Sequence, residues 1–348
     1  MSKDIRLAVV GAGLVGKRHI TAIEQVPGVA LMAVVDVSEE SQQIAQSQGV
    51  AHFASLDELL VREKPDGIVL STPTPLHVEQ ATLSVDHRVP VLIEKPLATS
   101  ASAAEVLVTH ASHHDVPILV GHHRRHNPLI KHAWQLINER RIGDIRAVHA
   151  QCWFYKPDHY FAEAPWRTKH GAGPISVNLV HDVDLLRYLC GEVITVSAQS
   201  SASSRGFENE EVAAAVLTFA NGAIGTITVS DGVVSPWSWE LTSREYPIYP
   251  VTDQSCYHIG GSEGSLSLPD LTLWNQNGKN DWWAPINATS MPRESSDPLV
   301  NQMEHFGRVV QGAESPLVSG EEGLRTLRVI EAIENSAKTG KTISVGNE

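Results

Sequence analysis

The sequence predicts a two-domain α/β protein, a doubly wound parallel sheet followed by an α+β domain whose sheet is largely antiparallel and open on one face. Three observations predict it. Short apolar runs alternate with helical stretches from Ile5 to about Val120, as expected of strands buried on both faces. After Gly121 the period changes, and strands with one polar face replace the wholly apolar runs. The chain has 348 residues, more than the roughly 100 to 200 that one hydrophobic core usually organises. Residues 1–122 are expected to form the first domain and residues 123–348 the second.

In the first half the expected strands are IRLAVV from Ile5, ALMAVVD from Ala30, GIVLS from Gly67, VLIEK from Val91 and PILVG from Pro117. Helical stretches fall between them, from Val15 to Gln25, Glu39 to Gln48, Leu56 to Glu63, Pro75 to Val85 and Ser100 to His113. In the second half a helix from about Pro128 to Glu139 precedes the alternating strand AVHAQCWFY, and another helix runs from Ile175 to Leu189 to a stop at Gly191. The β segments ITVSAQSSA, EVAAAVLTFA, NGAIGTITVSDG and GSLSLPDLTLW follow. Ser235 to His258 and Asn275 to Asp297 read as long loops, and two helices, Leu299 to Gln311 and Gly320 to Thr339, precede a short final strand.

Composition narrows the function classes. A formal charge of -13 repels nucleic acid phosphates and anionic lipid, and the densest basic stretch, HHRRH from His122, holds two fixed charges. Neither nucleic acid nor membrane is therefore an expected partner. The three cysteines form no CxxC pair, no apolar run approaches the ~20 residues of a membrane span, and MSKDIR, which leads into the first strand, lacks the basic and apolar character of a signal segment, so export is not expected. A reducing cytoplasm is the expected location. The 17 histidines contain no HExxH, and the doublets at His113 and His122 direct neighbouring rings to different helix faces, so no metal site is expected.

GAGLVG, from Gly11 to Gly16, fits the GxGxxG pattern after a strand and before a helix. In that setting Gly11 permits a tight turn, Gly13 a close approach to a pyrophosphate and Gly16 close packing of helix on strand. Leu14 and Val15 open the helix, whose N-terminal N–H groups and dipole favour phosphate. These residues predict a Rossmann dinucleotide-binding domain. Asp36, at the end of the second strand with Val37 beside it, suits the adenosine ribose hydroxyls and would repel a 2′-phosphate, which favours NAD over NADP. A turn or helix cap also explains Asp36.

Further elements follow in order: STPTPLH from Ser71, EKP from Glu94, GHHRRHNP from Gly121, and a helix carrying His181. With the glycine loop and the closing EEGLRTLRVIEAIENSAKTGKTISV, they make the chain resemble the family named for glucose-fructose oxidoreductase, inositol dehydrogenase and the rhizopine protein MocA. The resemblance implies NAD as cofactor, with Ser71, Thr72, Pro73, Thr74, His77 and Glu94 among its contacts. It places Lys95 against the nicotinamide ribose and the reacting hydroxyl, and makes His181 the acid/base group. Arg124 is then a cofactor or substrate contact, His123 lies on the substrate side, and Trp166 and Arg167 stand beside the cofactor. From the residues alone, each also fits a turn, a surface position or packing.

On an α-helix Val177, Asn178, His181 and Asp184 share a face, so Asn178 is a substrate-binding candidate. Tyr160, from an aromatic loop, is another. Many members of the family carry Asp where this chain has Val177. The implied activity is hydride transfer between NAD(H) and a small polyhydroxylated substrate: a sugar, sugar acid, cyclitol or related cyclic polyol. Two alternatives remain, a redox-neutral epimerase or glycoside-cleaving enzyme and a noncatalytic NAD sensor. An open sheet face and the family habit of packing such faces imply a homodimer or homotetramer.

Overall fold

In the computed structural model, which describes residues 4–276, 278 and 280–346, the first strand, β1 (Ile5–Val10), is buried along nearly its whole length. Asn277 and Lys279, from the expected loop after Asn275, lie outside the described residues. After β1 come α1 (Leu14–Ile23), β2 (Val29–Val35), α2 (Glu39–Gln48), β3 (Ala51–Phe53), α3 (Leu56–Arg62) and β4 (Gly67–Leu70). Then follow α4 (His77–Asp86), β5 (Val91–Ile93), α5 (Ala101–His113) and β6 (Ile118–Val120). Ser38, Ser55 and Ser100 start α2, α3 and α5 by accepting a hydrogen bond from a first-turn N–H, which satisfies a donor the helix leaves open.

These strands form one parallel sheet in the order β3-β2-β1-β4-β5-β6. The order reverses between β1 and β4, and ligands of open α/β sheets bind beyond the carboxyl ends of the strands at such a point. Strand β3 was not among the expected strands. It is three residues long and buries only Phe53, too little for a periodic signal. The VLIEK strand ends early, at Ile93, which leaves Glu94 and Lys95 in the loop beyond it.

The second unit begins with α6 (Pro128–Asn138), capped by Asn127 and opened by a proline. Strand β7 (Ile145–Trp153), α7 (Asp158–Ala162), α8 (Val180–Cys190), β8 (Val193–Ala202), β9 (Glu210–Phe219) and β10 (Ile224–Ser230) follow. Next come α9 (Trp239–Thr242), β11 (Tyr257–Gly261), β12 (Gly264–Leu268), β13 (Thr272–Asn275) and β14 (Asn287–Ser290). The chain continues through α10 (Pro298–Val310) and α11 (Gly320–Thr339) to β15 (Ile343–Ser344). The sheet runs β14-β13-β12-β11-β7-β10-β9-β8-β15, with β7 and β10 parallel and every other neighbouring pair antiparallel. Its polar face shows Ala147, Val216, Ile224, Thr226 and His258 to solvent.

Several expectations are corrected here. The stretch from Ser235 to His258 contains α9 and the start of β11, and the later loop contains β14. GSLSLPDLTLW is two paired strands, because the turn at Pro269 and Asp270 folds β13 back on β12. The helix expected from Ile175 opens with a π-turn over Ile175–Leu179.

The domain division also differs from a cut between residues 122 and 123. One compact unit comprises the residues up to His126 together with Ser296–Leu327, and the other comprises Asn127–Ser295 with the residues from Arg328 onward. The reason is the apolar face of α10: Leu299, Met303, Phe306 and Val309 join the core of the parallel-sheet unit. Helical periodicity announces a buried face without saying which core covers it. Phe306→Ala is accordingly expected to cost about 3 to 5 kcal/mol of the stability of that unit, read as a lowered midpoint in denaturant melts. A change below about 1 kcal/mol would show that α10 is peripheral to this core.

Candidate functional site

The carboxyl ends of β1 and β4 meet at a backbone contact too close for side chains. Gly11 has φ +89, and a Cβ there would lie 2.7 Å from the carbonyl carbon and oxygen of Ser71. A Cβ at Gly16 would lie 1.9 Å from the carbonyl oxygen of Gly11. Ser71 seals this contact, its N–H donating to Val10 at 2.8 Å and its hydroxyl to the Gly11 carbonyl at 2.7 Å. Gly13 differs, because a Cβ there would meet nothing within 4 Å. The protein's own packing does not demand this glycine, whereas a pyrophosphate seated on the loop does. Gly13 caps α1 with no side-chain hydrogen bond, and Leu14 and Val15 of the first turn are exposed. This combination fits a dinucleotide.

Asp36 stands at the end of β2 with both carboxylate oxygens engaged, accepting the N–H of Ala12 at 2.8 Å and that of Ser38 at 2.8 Å. Burial raises its pKa, but the hydrogen bonds from Ala12 and Ser38, with help from His52, outweigh this and hold the group below the usual Asp value. The acid is thus fixed to the glycine loop and favoured in its ionised form. Val37 beside it is exposed.

After β4, Thr72 donates its hydroxyl to Gln80 at 2.6 Å, and Pro73 and Thr74 lead through a 3-10 turn into α4. His77, at the start of α4, is held from both sides. It is buried, with one ring nitrogen 2.8 Å from the Thr72 carbonyl and the other 2.9 Å from the Pro96 carbonyl. It ties the turn after β4 to the loop after β5.

That loop holds Glu94 and Lys95. Glu94 is buried and lies 2.7 Å from the Nε2 of His19, itself fully buried on α1. Its other oxygen accepts the N–H of Lys95 at 3.1 Å. Burial raises the Glu94 pKa, yet His19, followed by the charges of His123 and Lys95, brings it down to about 2. A Cβ at Gly121 would lie 2.9 Å from this carboxyl group, so the glycine of GHHRRHNP makes room for it. Lys95 and His123 are half-buried, and Arg124 is buried. The His19–Glu94 pair had not been anticipated, since nothing in a single sequence marks residues on separate elements as partners.

In the second unit the π-turn alters the argument for a shared helix face, which assumed α periodicity. The segment starts where Glu210 accepts the N–H of Ile175 at 2.9 Å, and a Cβ at Gly173 would lie 2.2 Å from that carboxylate, so a larger residue there would have to displace it. Burial raises the pKa of Glu210. π-turns of this kind recur at functional sites. Asn178 and His181 are both buried, and the Asn178 side-chain oxygen has no hydrogen-bond partner among the described residues. Val177 is half-buried. Buried Tyr257 of β11 donates its hydroxyl to Asp182, a contact hidden from the sequence because this segment read as loop.

Tyr160 sits among cations. The Arg167 guanidinium lies 4.0 Å from its ring centroid and donates to its carbonyl oxygen, and the Lys156 ammonium is 5.4 Å from the ring. Lys156 is buried 3.7 Å from Asp231. Burial lowers the Lys156 pKa and raises that of Asp231, each partly offset by the other's charge. Trp166 is 59% exposed, so among these aromatics it is the one presented to solvent.

Comparison with known proteins bears on both units. Residues 5–122 match the model of an oxidoreductase family with an NAD-binding Rossmann fold, and residues 130–267 match the GFO/IDH/MocA C-terminal domain. The chain is 24% identical to a D-apiose dehydrogenase of Paraburkholderia graminis, over 99% of this chain and 90% of the relative. It is also 24% identical to a scyllo-inositol 2-dehydrogenase (NAD(+)) of Bacillus subtilis, over 99% of this chain and 97% of the relative. Among solved structures, the WlbA dehydrogenase of Bordetella pertussis in complex with NADH and UDP-GlcNAcA superposes with a TM-score of 0.81 at 26% identity, covering 99% of this chain and 100% of that one.

Acid stability tests the Glu94 pair. Its folded pKa, about 2, lies below the ordinary 4.5. The ionised Glu94 carboxylate therefore contributes fully above the ordinary value, and the contribution is lost as pH falls from 4.5 through about 2. Glu94→Gln is expected to reduce stability at neutral pH by about 3 kcal/mol, with the deficit shrinking as urea melts are repeated toward pH ~2. A deficit that is constant with pH would show that the carboxylate's charge is not what matters.

Proposed function

The chain belongs to the GFO/IDH/MocA oxidoreductase family, and from that membership we propose that it is an NAD(H)-dependent dehydrogenase or reductase acting on a hydroxyl or ketone of a sugar, sugar acid, cyclitol or related cyclic polyol. The observation that carries the cofactor choice is Asp36, held by Ala12 and Ser38 at the end of β2. The names of relatives that act on apiose and inositol support the substrate class.

When bound, NAD supplies the hydride acceptor. Gly11, Gly13 and Gly16 would cradle its pyrophosphate at the start of α1, and Asp36 would take the adenosine ribose hydroxyls. The Lys95 ammonium polarises the substrate oxygen and stabilises developing alkoxide, while the His181 imidazole takes the hydroxyl proton. Asn178 offers its free carbonyl oxygen to a substrate hydroxyl, and His123 and Tyr160 contact the rest of the substrate. Arg124, Trp166 and Arg167 complete the proposed cofactor contacts.

A homodimer or homotetramer is proposed on the exposed sheet face, which carries Val216, Ile224 and His258 in place of fixed charges. Among the described residues no helix is long and apolar enough to cross a membrane.

Purified protein incubated with NAD and a panel of sugars, inositols and sugar acids tests the reading. Net formation of reduced nicotinamide is expected with at least one of them. Product without net reduction would replace it with the redox-neutral enzyme, and binding without turnover would replace it with the sensor. Lys95→Ala is expected to lower kcat by on the order of 10² to 10⁴ with little change in NAD affinity, and an unchanged kcat would remove Lys95 from the chemistry. Asp36→Ala should relax the preference for NAD over NADP in steady-state assays. A parent enzyme that prefers NADP would overturn that assignment.

A further inference from the structure

The end of α4 and the C-terminal end of α5, with its capping residue, bring together Asp86, His110 and His114, none of which takes part in the site described above. His110 and His114 are one helical turn apart, so their rings leave the same face of α5, with centroids 4.3 Å apart. Asp86 reaches them from the neighbouring helix, its Oδ1 2.7 Å from the Nε2 of His110. One nitrogen or oxygen from each of the three residues lies within 4.8 Å of the other two.

The ring of His114 is oriented as well as near. Its Nδ1 donates to the backbone carbonyl of His110 at 2.9 Å, which leaves Nε2 as the nitrogen with a lone pair. Metal-binding imidazoles are commonly fixed by such a bond from the other ring nitrogen. Asp86 is exposed and both histidines are half-buried, so an ion reaches the cluster from solvent.

We propose that Asp86, His110 and His114 form a surface site for a borderline divalent transition ion such as Zn²⁺, with water completing its coordination. Two imidazoles and one carboxylate suit Zn²⁺, Ni²⁺ or Cu²⁺, whereas Mg²⁺ and Ca²⁺ select oxygen donors. Zinc-ligand distances of roughly 2.0 to 2.2 Å put tetrahedral ligand atoms about 3.3 to 3.6 Å apart. The 2.7 Å contact must open slightly and the widest pair close, changes within reach of side-chain rotation. Arg88, which donates to the His114 carbonyl, adds a nearby positive charge that weakens binding. His87 is held to the Leu83 carbonyl through its own Nδ1. An ion here pins the end of α4 to α5, two helices of the nucleotide-binding unit, and so acts on that unit's stability.

Calorimetric titration of the full chain with Zn²⁺ tests the site. Binding of one ion at these residues with a Kd on the order of micromolar is expected, accompanied by a rise in Tm that Mg²⁺ does not reproduce. Asp86→Ala, His110→Ala and His114→Ala should each weaken this binding by on the order of tenfold or more and abolish the rise in Tm. His87→Ala and His132→Ala should retain both effects. Melts without metal establish that each variant folds, and His114→Gln replaces any that does not. No binding at 100 µM Zn²⁺ (on the order of a hundred times the expected Kd), or unchanged binding after His110→Ala and His114→Ala are combined, would overturn the proposal.

Discussion

A Cβ on Gly16 would stand 1.9 Å from the Gly11 carbonyl oxygen, and one on Gly11 would strike the backbone of Ser71. This mutual approach of three backbone segments sets where α1 begins, and through it where the helix dipole and the free N–H groups of the first turn are directed. Gly13 is the instructive contrast. Its side of the loop is open, so two of the glycines answer to the protein's own packing, and the third to the proposed pyrophosphate. A single pattern, GxGxxG, thus records two different physical demands.

Buried polar contacts carry the same constraint outward. His19 on α1 pairs with Glu94 beyond β5, and His77 bridges the carbonyls of Thr72 and Pro96. Helix α1 and the loops after β4 and β5 are therefore linked by groups that would be costly to leave unsatisfied. Lys95 gains its place from this network, since its N–H is held by the carboxylate paired with His19. Rigidity at the candidate site comes from side chains that need never touch a ligand.

Much of this was legible in the sequence, unevenly and for identifiable reasons. The buried parallel strands of the first unit announce themselves as apolar runs, and helical periodicity predicts the bounds that α2 and α11 have. Asp36 and the glycines were legible because their chemistry depends on local spacing. The His19–Glu94 and Tyr257–Asp182 contacts were not, because each joins residues 75 positions apart. Nor does any local signal tell α10 to complete the first core, or tell Ile175 to Leu179 to adopt π geometry when their side chains serve an α-helix equally well.

The π-turn and the loss of an acid at Val177 bear on the same question, how the second unit prepares a substrate hydroxyl. A carboxylate one turn before His181 would favour the charged imidazolium, and Val177 cannot. The buried Asp182 that follows His181 already accepts the Tyr257 hydroxyl, which ties α8 to β11 and commits part of that carboxylate to structure. What the segment does supply is Asn178, a neutral acceptor in a buried setting. A neutral amide can orient a hydroxyl without adding a charge of its own beside the histidine. If Asn178 meets the substrate as proposed, a buried acceptor left unpaired would discriminate strongly against a ligand lacking the matching hydroxyl.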